Sequence, residues 1–154
     1  MRRATLLACI LALSALAAAQ EQVRVVGISD GDTVTVLTAR REQIRVRLHG
    51  IDAPESGQPF GTKSRQWLSD QVFGKTVELV RVDTDQYGRI VGRLRTGGKD
   101  VNVESVKAGM AWWYQRYART DRKLEEAERE AKSARRGLWS EPNPTAPWDW
   151  RRPG

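Results

Sequence analysis

Gln43-Ile44-Arg45-Val46-Arg47-Leu48-His49 alternates apolar with charged side chains. Ile44, Val46 and Leu48 face one way and Arg45, Arg47 and His49 the other, the two-residue period of a half-buried strand. Two similar runs precede it, Gln22 to Ile28 and Thr33 to Thr38. In the second of these Asp32, Val34 and Val36 share a face. The links Ser29-Asp30-Gly31-Asp32 and Ala39-Arg40-Arg41-Glu42 have hairpin length, and the first carries an Asp-Gly turn signal.

The period changes after Pro59. Ser64, Trp67, Leu68, Gln71 and Val72 recur at helical spacing, and Gly74 stands where a helix is capped at its C-terminus. Strand patterning returns over Thr76 to Val82 and Arg89 to Arg95, joined as a hairpin by Asp83-Thr84-Asp85-Gln86-Tyr87-Gly88. Asn102 is placed to cap a short helix through Val103 and Val106 that Gly109 stops. Asp121 opens a longer one, with Leu124, Ala127, Ala131 and Ala134 as a narrow apolar stripe on an otherwise solvated, charged helix ended by Gly137. The tail over 140–154 holds Pro142, Pro144 and Pro147 with Trp148 and Trp150, and its prolines argue against a regular element. Five short strands, a helix inserted after the third and helices at the end predict an α+β fold that is mainly β. The architecture expected is a five-stranded Greek-key barrel of the OB type, whose open face commonly serves as a nucleic-acid platform.

Met1-Arg2-Arg3 followed by an apolar run from Ala4 to Ala19 has the form of a signal peptide. The run is too short to span a bilayer and ends in small residues. Residues 1–19 are therefore set apart from residues 20–154, which are expected to form one domain, a monomer in the periplasm or outside the cell with no stable membrane insertion after cleavage. The leader takes with it the only cysteine, Cys9, so the remainder has neither a disulfide nor a thiolate to use. It also takes two of 26 basic residues and none of 19 acidic ones, leaving 24 against 19, or +5. Such an excess favours polyanionic partners, and it equally describes a merely soluble basic protein.

Three clusters carry chemistry. Asp30-Gly31-Asp32-Thr33 reads as a turn or as part of a metal site; Asp52-Ala53-Pro54-Glu55 as a solvated loop or an acidic pocket; Arg47 and Arg89 as surface arginines or phosphate ligands. Taken together and in order, Asp30 to Thr33, Arg47-Leu48-His49-Gly50-Ile51-Asp52-Ala53-Pro54-Glu55 and Asp85-Gln86-Tyr87-Gly88-Arg89 resemble the three active-site blocks of the staphylococcal nuclease family. Gly137-Leu138-Trp139-Ser140 and the Trp-rich tail resemble its secreted bacterial members, so the likeness runs over about residues 22–150.

The resemblance implies a calcium-dependent nuclease acting on DNA and RNA. Asp32, Asp52 and the main-chain carbonyl of Ala53 would hold Ca2+, Arg47 and Arg89 would grip the phosphate, and Glu55 would act on water as general base or by orienting it. Tyr87 and Tyr117 match its substrate contacts. Phosphodiester hydrolysis calls for residues of these types, because calcium takes hard oxygen ligands and guanidiniums hold the charge of a phosphoryl transition state. With no cysteine cluster and His49 the only histidine, catalytic zinc is not expected. The chain departs from the pattern at Ala53, where the type member has Thr, at Gln86 in place of Lys, and at Gln115 in place of an aromatic residue. Of Trp112 and Trp113, one at least is expected in the core. The competing class is a non-catalytic OB-type nucleic-acid-binding module, which characteristically loses the Asp or Arg positions that this chain keeps.

Overall fold

A computed structural model describes residues 20–152; the leader expected over 1–19 lies outside the described residues. Strands β1 (Gln20–Asp30), β2 (Thr33–Leu37) and β3 (Gln43–Leu48) form an antiparallel meander. Val34 opposes Val46 and Thr33 opposes Arg47, so the apolar alternation of the two strands falls on one face. A two-residue strand β4 (Ile51–Asp52) and helix α1 (Gly61–Val72) follow. Strand β5 (Thr76–Thr84) returns along β1, and β6 (Ile90–Thr96) folds back on β5. Then β6 meets β3 in parallel, Val46 with Ile90, Arg47 with Val91 and Leu48 with Gly92, and this pairing closes a five-stranded mixed barrel. The OB-type α+β fold is thus the one the alternating runs predict.

Closure turns the inward residues into one core. Val23, Val25, Val34, Val36, Val46, Leu48, Leu79 and Leu94 are buried inside the barrel, with Leu68 and Val72 of α1 packed beneath. The chain then runs through β7 (Lys99–Asp100), α2 (Val101–Lys107), β8 (Trp112–Trp113), which pairs with β4, and α3 (Gln115–Ala118). Helix α4 (Arg122–Ser133) packs on α2, and a 3-10 turn (Gly137–Ser140) and a last helical turn, α5 (Pro147–Trp150), complete the fold.

Four expectations are corrected. Asp100, rather than Asn102, caps α2, accepting bonds from the Asn102 and Val103 N–H groups. Asn102 sits inside the helix, fully buried, where its amide donates to the His49 and Gly92 carbonyls (3.0 and 3.1 Å) and accepts from Leu94 N–H (3.3 Å). It therefore ties α2 to the barrel closure, since a buried amide needs all its partners. On α4, Ala134 is exposed, while Glu128 on the supposedly solvated face is buried and accepts from Trp113 N–H at 2.8 Å. The tail contains a regular turn: Pro147 occupies the first turn of α5, where a missing N–H costs nothing. Trp113 is the core tryptophan, with its indole N–H on the Ala118 carbonyl at 2.9 Å. Trp112 instead packs edge-on against Trp139 and Trp148, with ring centroids at 4.4 and 5.5 Å.

Two glycines let the exits of α2 and α4 cross. Gly109 (φ 72°) and Gly137 (φ 52°) adopt left-handed conformations, and a Cβ on either would overlap a main-chain carbonyl of the other segment. The Leu138 N–H donates to the Gly109 carbonyl there at 2.9 Å. Gly109→Ala is expected to lower the unfolding free energy by about 2 kcal/mol or more, because neither the φ nor the space admits a side chain. Urea denaturation measures it, and an unchanged midpoint would show that the crossing yields.

Candidate active site

The mouth of the barrel between β2, β3 and β4 gathers the acidic blocks. Gly31, between Asp30 and Asp32, presses on α1 and on the Ala53 loop: a Cβ there would lie 2.7 Å from Ser64 Cβ and 2.8 Å from Ala53 Cβ. The turn is therefore pinned in place, and with it Asp32, whose own N–H donates to Asp30 Oδ1 at 3.0 Å. Asp32 is buried; its Oδ2 accepts from Ala53 N–H at 2.7 Å and its Oδ1 from the Thr33 hydroxyl at 3.0 Å. The Ala53 bond joins the first block to the second across 21 residues of sequence.

Arg47, opposite Thr33 on β3, places its guanidinium between two buried carboxylates. Nη1 lies 3.4 Å from Asp32 Oδ2, and Nη2 donates to Asp52 Oδ1 at 3.3 Å. Burial works against ionisation of Asp32, but the Arg47 charge and the bonds from Asp30, Ala53 and Thr33 outweigh it and hold the carboxyl below its usual value. Burial pushes Asp30 up to about 7, and the neighbouring Asp32 charge adds to the effect. Burial also raises Asp52, with the Arg151 bonds and the Arg47 charge opposing it.

Glu55 stands three residues beyond Asp52 and is partly exposed. Its N–H donates to the Gln58 side chain at 2.9 Å, so the Asp52–Gln58 loop is clipped locally. The residue that joins Glu55 to Asp52 belongs to none of the three sequence blocks. Arg151, just beyond α5, donates from Nη1 to Glu55 Oε1 (2.6 Å) and Asp52 Oδ1 (3.1 Å), and from Nη2 to Asp52 Oδ2 (2.7 Å). No local signal marks it, because its relevance depends on a contact across 99 residues.

Asp32, Arg47, Asp52, Ala53 and Glu55 are thus brought together. The third block is ordered within itself: Asp85 accepts from the Tyr87 and Arg89 N–H groups and from Arg89 Nε at 2.6 Å, and the Arg89 guanidinium lies 5.6 Å from the Tyr87 ring centre. The parallel β3–β6 register brings Arg89 to two residues from Val91, the partner of Arg47, while its side chain rests on Asp85. Tyr87 and Tyr117 are exposed, at 75% and 62%, and Tyr117 meets Tyr114 edge-on at 5.0 Å. Among the described residues no three His, Cys, Asp or Glu side chains converge as a metal-binding group. Asp32 and Asp52 present hard carboxylate oxygens, the donor type that calcium takes, and in the structure these accept hydrogen bonds from Ala53, Thr33, Arg47 and Arg151.

An OB-type barrel with an arginine between paired aspartates at its mouth defines the class to which this chain should be compared. Residues 45–141 match the staphylococcal nuclease homologue family, and the chain belongs to that family. It is 44% identical to a protein of Shigella flexneri named micrococcal nuclease, over 97% of this chain and 91% of that one. An uncharacterized endonuclease of Haemophilus influenzae is 44% identical over 91% of this chain and 78% of its own, and the protein ParB of Escherichia coli 40% over 99% and 91%.

Removing the Arg47 guanidinium leaves Asp32 buried without its ion-pair partner and Asp52 with Arg151 alone, a state more costly than losing the Arg47–Asp32 pair together. The pair Arg47→Gln and Asp32→Asn should therefore be coupled, the double variant being more stable than the sum of the singles by about 1–3 kcal/mol. A cycle of urea unfolding curves reads the coupling; simple additivity would show that the two groups do not depend on each other.

Proposed function

We propose that the protein is an exported, calcium-dependent nuclease that hydrolyses phosphodiester bonds in DNA and RNA. The observation that supports this reading most strongly is the guanidinium of Arg47 set between the buried Asp32 and Asp52, with Glu55 three residues on. The mouth holds the like charges of Asp32 and Asp52 close enough to repel, an arrangement that stability alone does not favour. Names given to relatives, micrococcal nuclease and endonuclease among them, point the same way.

In this reading Asp32, Asp52 and the Ala53 carbonyl hold calcium, which when bound would neutralise phosphate charge and polarise the phosphorus–oxygen bonds. Arg47 is held in place by its two carboxylates and by a bond to the Leu48 carbonyl (3.1 Å), so it meets a phosphate already oriented. Arg89, in the turn just before the adjoining strand β6, supplies the second fork when it leaves Asp85 for the substrate, and planar forks suit phosphate oxygens better than a lysine does. Glu55 is the more exposed carboxylate of the cluster and can take a proton from, or orient, a water that attacks phosphorus. Tyr87 and Tyr117 offer exposed rings to the bases. The basic excess draws the polymer to the site, and the leader read from residues 1–19 accounts for export.

Cleavage of DNA and of RNA is expected to stop in excess EGTA, to return with calcium and not to be sustained by zinc. Undiminished cleavage under EGTA would remove the metal from the reading.

Glu55→Gln should separate binding from chemistry. With calcium present, oligonucleotide affinity should hold while single-turnover cleavage falls by roughly 10²-fold or more, the loss expected of a general base. A variant that cuts like its parent would take Glu55 out of the reaction. A parent that binds without cutting would make the protein a binding module instead.

A further inference from the structure

The C-terminal tail is built onto the barrel rather than draped over it. Gln58 donates from its side-chain amide to the Thr145 carbonyl at 2.6 Å, and Ala146 and Pro147 are buried. Trp148 stacks flat on Tyr114, with centroids 5.2 Å apart and planes 5° from parallel, and meets Trp112 edge-on. Against this platform opens a cleft of about 460 Å3, lined by Tyr114, Arg116, Trp148, Arg151 and Arg152. Three of its five lining residues are arginines and none is acidic. One of the three, Arg151, is the residue that touches Asp52 and Glu55, so the cleft lies beside the carboxylate cluster with Arg151 shared between them.

We propose that this cleft is a subsite for single-stranded nucleic acid next to the bond being cut, with Arg116 and Arg152 on backbone phosphates and the Trp148–Tyr114 stack under an unpaired base. The inference rests on the nuclease reading and extends it to a surface formed by the tail. The chemistry of the lining favours this ligand: every base has a π-face for an aromatic platform, and phosphates spaced along a strand need several cations in a row. The volume is that of a small-ligand site, enough for a nucleotide unit. The two outer arginines are only weakly engaged within the protein. Arg116 leans over the Tyr117 ring at 5.8 Å, and Arg152 meets Asp149 at 3.6 Å in an exposed pair that contributes little. Arg151 is spoken for by Asp52 and Glu55, and it forms the wall between subsite and cluster.

The test is equilibrium binding of a fluorescent oligothymidylate to the protein in EDTA, where no cutting interferes, measured across a salt series. Arg116→Gln and Arg152→Gln should each flatten the slope of log affinity against log salt by about 0.7, one phosphate contact on a single strand. Trp148→Leu should weaken binding by roughly 5- to 150-fold, the range for losing one stacked base, and Trp148→Phe should recover part of it. Arg122→Gln, an exposed α4 arginine that is not among the residues lining the cleft, should keep the parent's slope. Parental slopes for Arg116→Gln and Arg152→Gln would overturn the proposal, as would an equal change for Arg122→Gln, which would mark diffuse attraction to a basic surface. Failure of the nuclease reading would look different, since the parent would then not cut with calcium whether or not the cleft variants lost their slopes.

Discussion

A guanidinium between two buried carboxylates is the contact around which the mouth of this barrel is organised. Asp32 and Asp52 come from different segments, and each is removed from water. Without Arg47 at 3.4 and 3.3 Å, their mutual repulsion and desolvation would oppose the close approach of the β2 turn and the β4 loop. Ala53 N–H reinforces the approach by capping Asp32 at 2.7 Å. Arg47 in turn is placed by strand pairing on both sides, antiparallel to Thr33 and parallel to Val91, so barrel closure and site geometry are the same event.

That dependence explains why so much of the remaining structure serves the closure. Asn102 fastens α2 to the His49 and Gly92 carbonyls, next to the parallel ladder. Arg93 bridges Asp100 and Asp121, the residues that cap α2 and α4. Buried networks of this kind rigidify when every member is satisfied. A rigid frame is what a cluster of like charges requires, since the carboxylates would otherwise spread apart. The tail acts on the other side of the mouth, where Gln58 and Arg151 join the Glu55 loop to residues almost a hundred positions away in the chain.

The barrel was legible above all in β3, which alternates strictly: Ile44, Val46 and Leu48 announce a face that the closed sheet buries or half-buries. The acidic and basic blocks were legible by resemblance to a known family, and the structure brings Asp32, Arg47, Asp52, Ala53 and Glu55 into one place. What could not be read locally depends on tertiary partners. Asn102 has the residue type of a cap, but Asp100 precedes the helix in extended conformation and takes that role, leaving the amide for the core. Glu128 looks like one more charge on a solvated helix until β8 offers it the Trp113 N–H. Proline content argued against order in the tail, yet Pro147 starts a helical turn, and stacking of Trp148 on Tyr114 holds that turn against the barrel. Arg151 is invisible to any local pattern for the same reason.

The central claim is that this cluster directs a water molecule onto phosphorus. It is tested most directly by cutting a DNA oligonucleotide in heavy-oxygen water with calcium present and weighing the products of a single turnover. One heavy oxygen is expected on the newly formed terminal phosphate, whichever end carries it, and DNA is expected to be cut as well as RNA, since the proposed attack by water needs no ribose hydroxyl. Products without the label, or RNA cleaved while DNA stays intact, would contradict it.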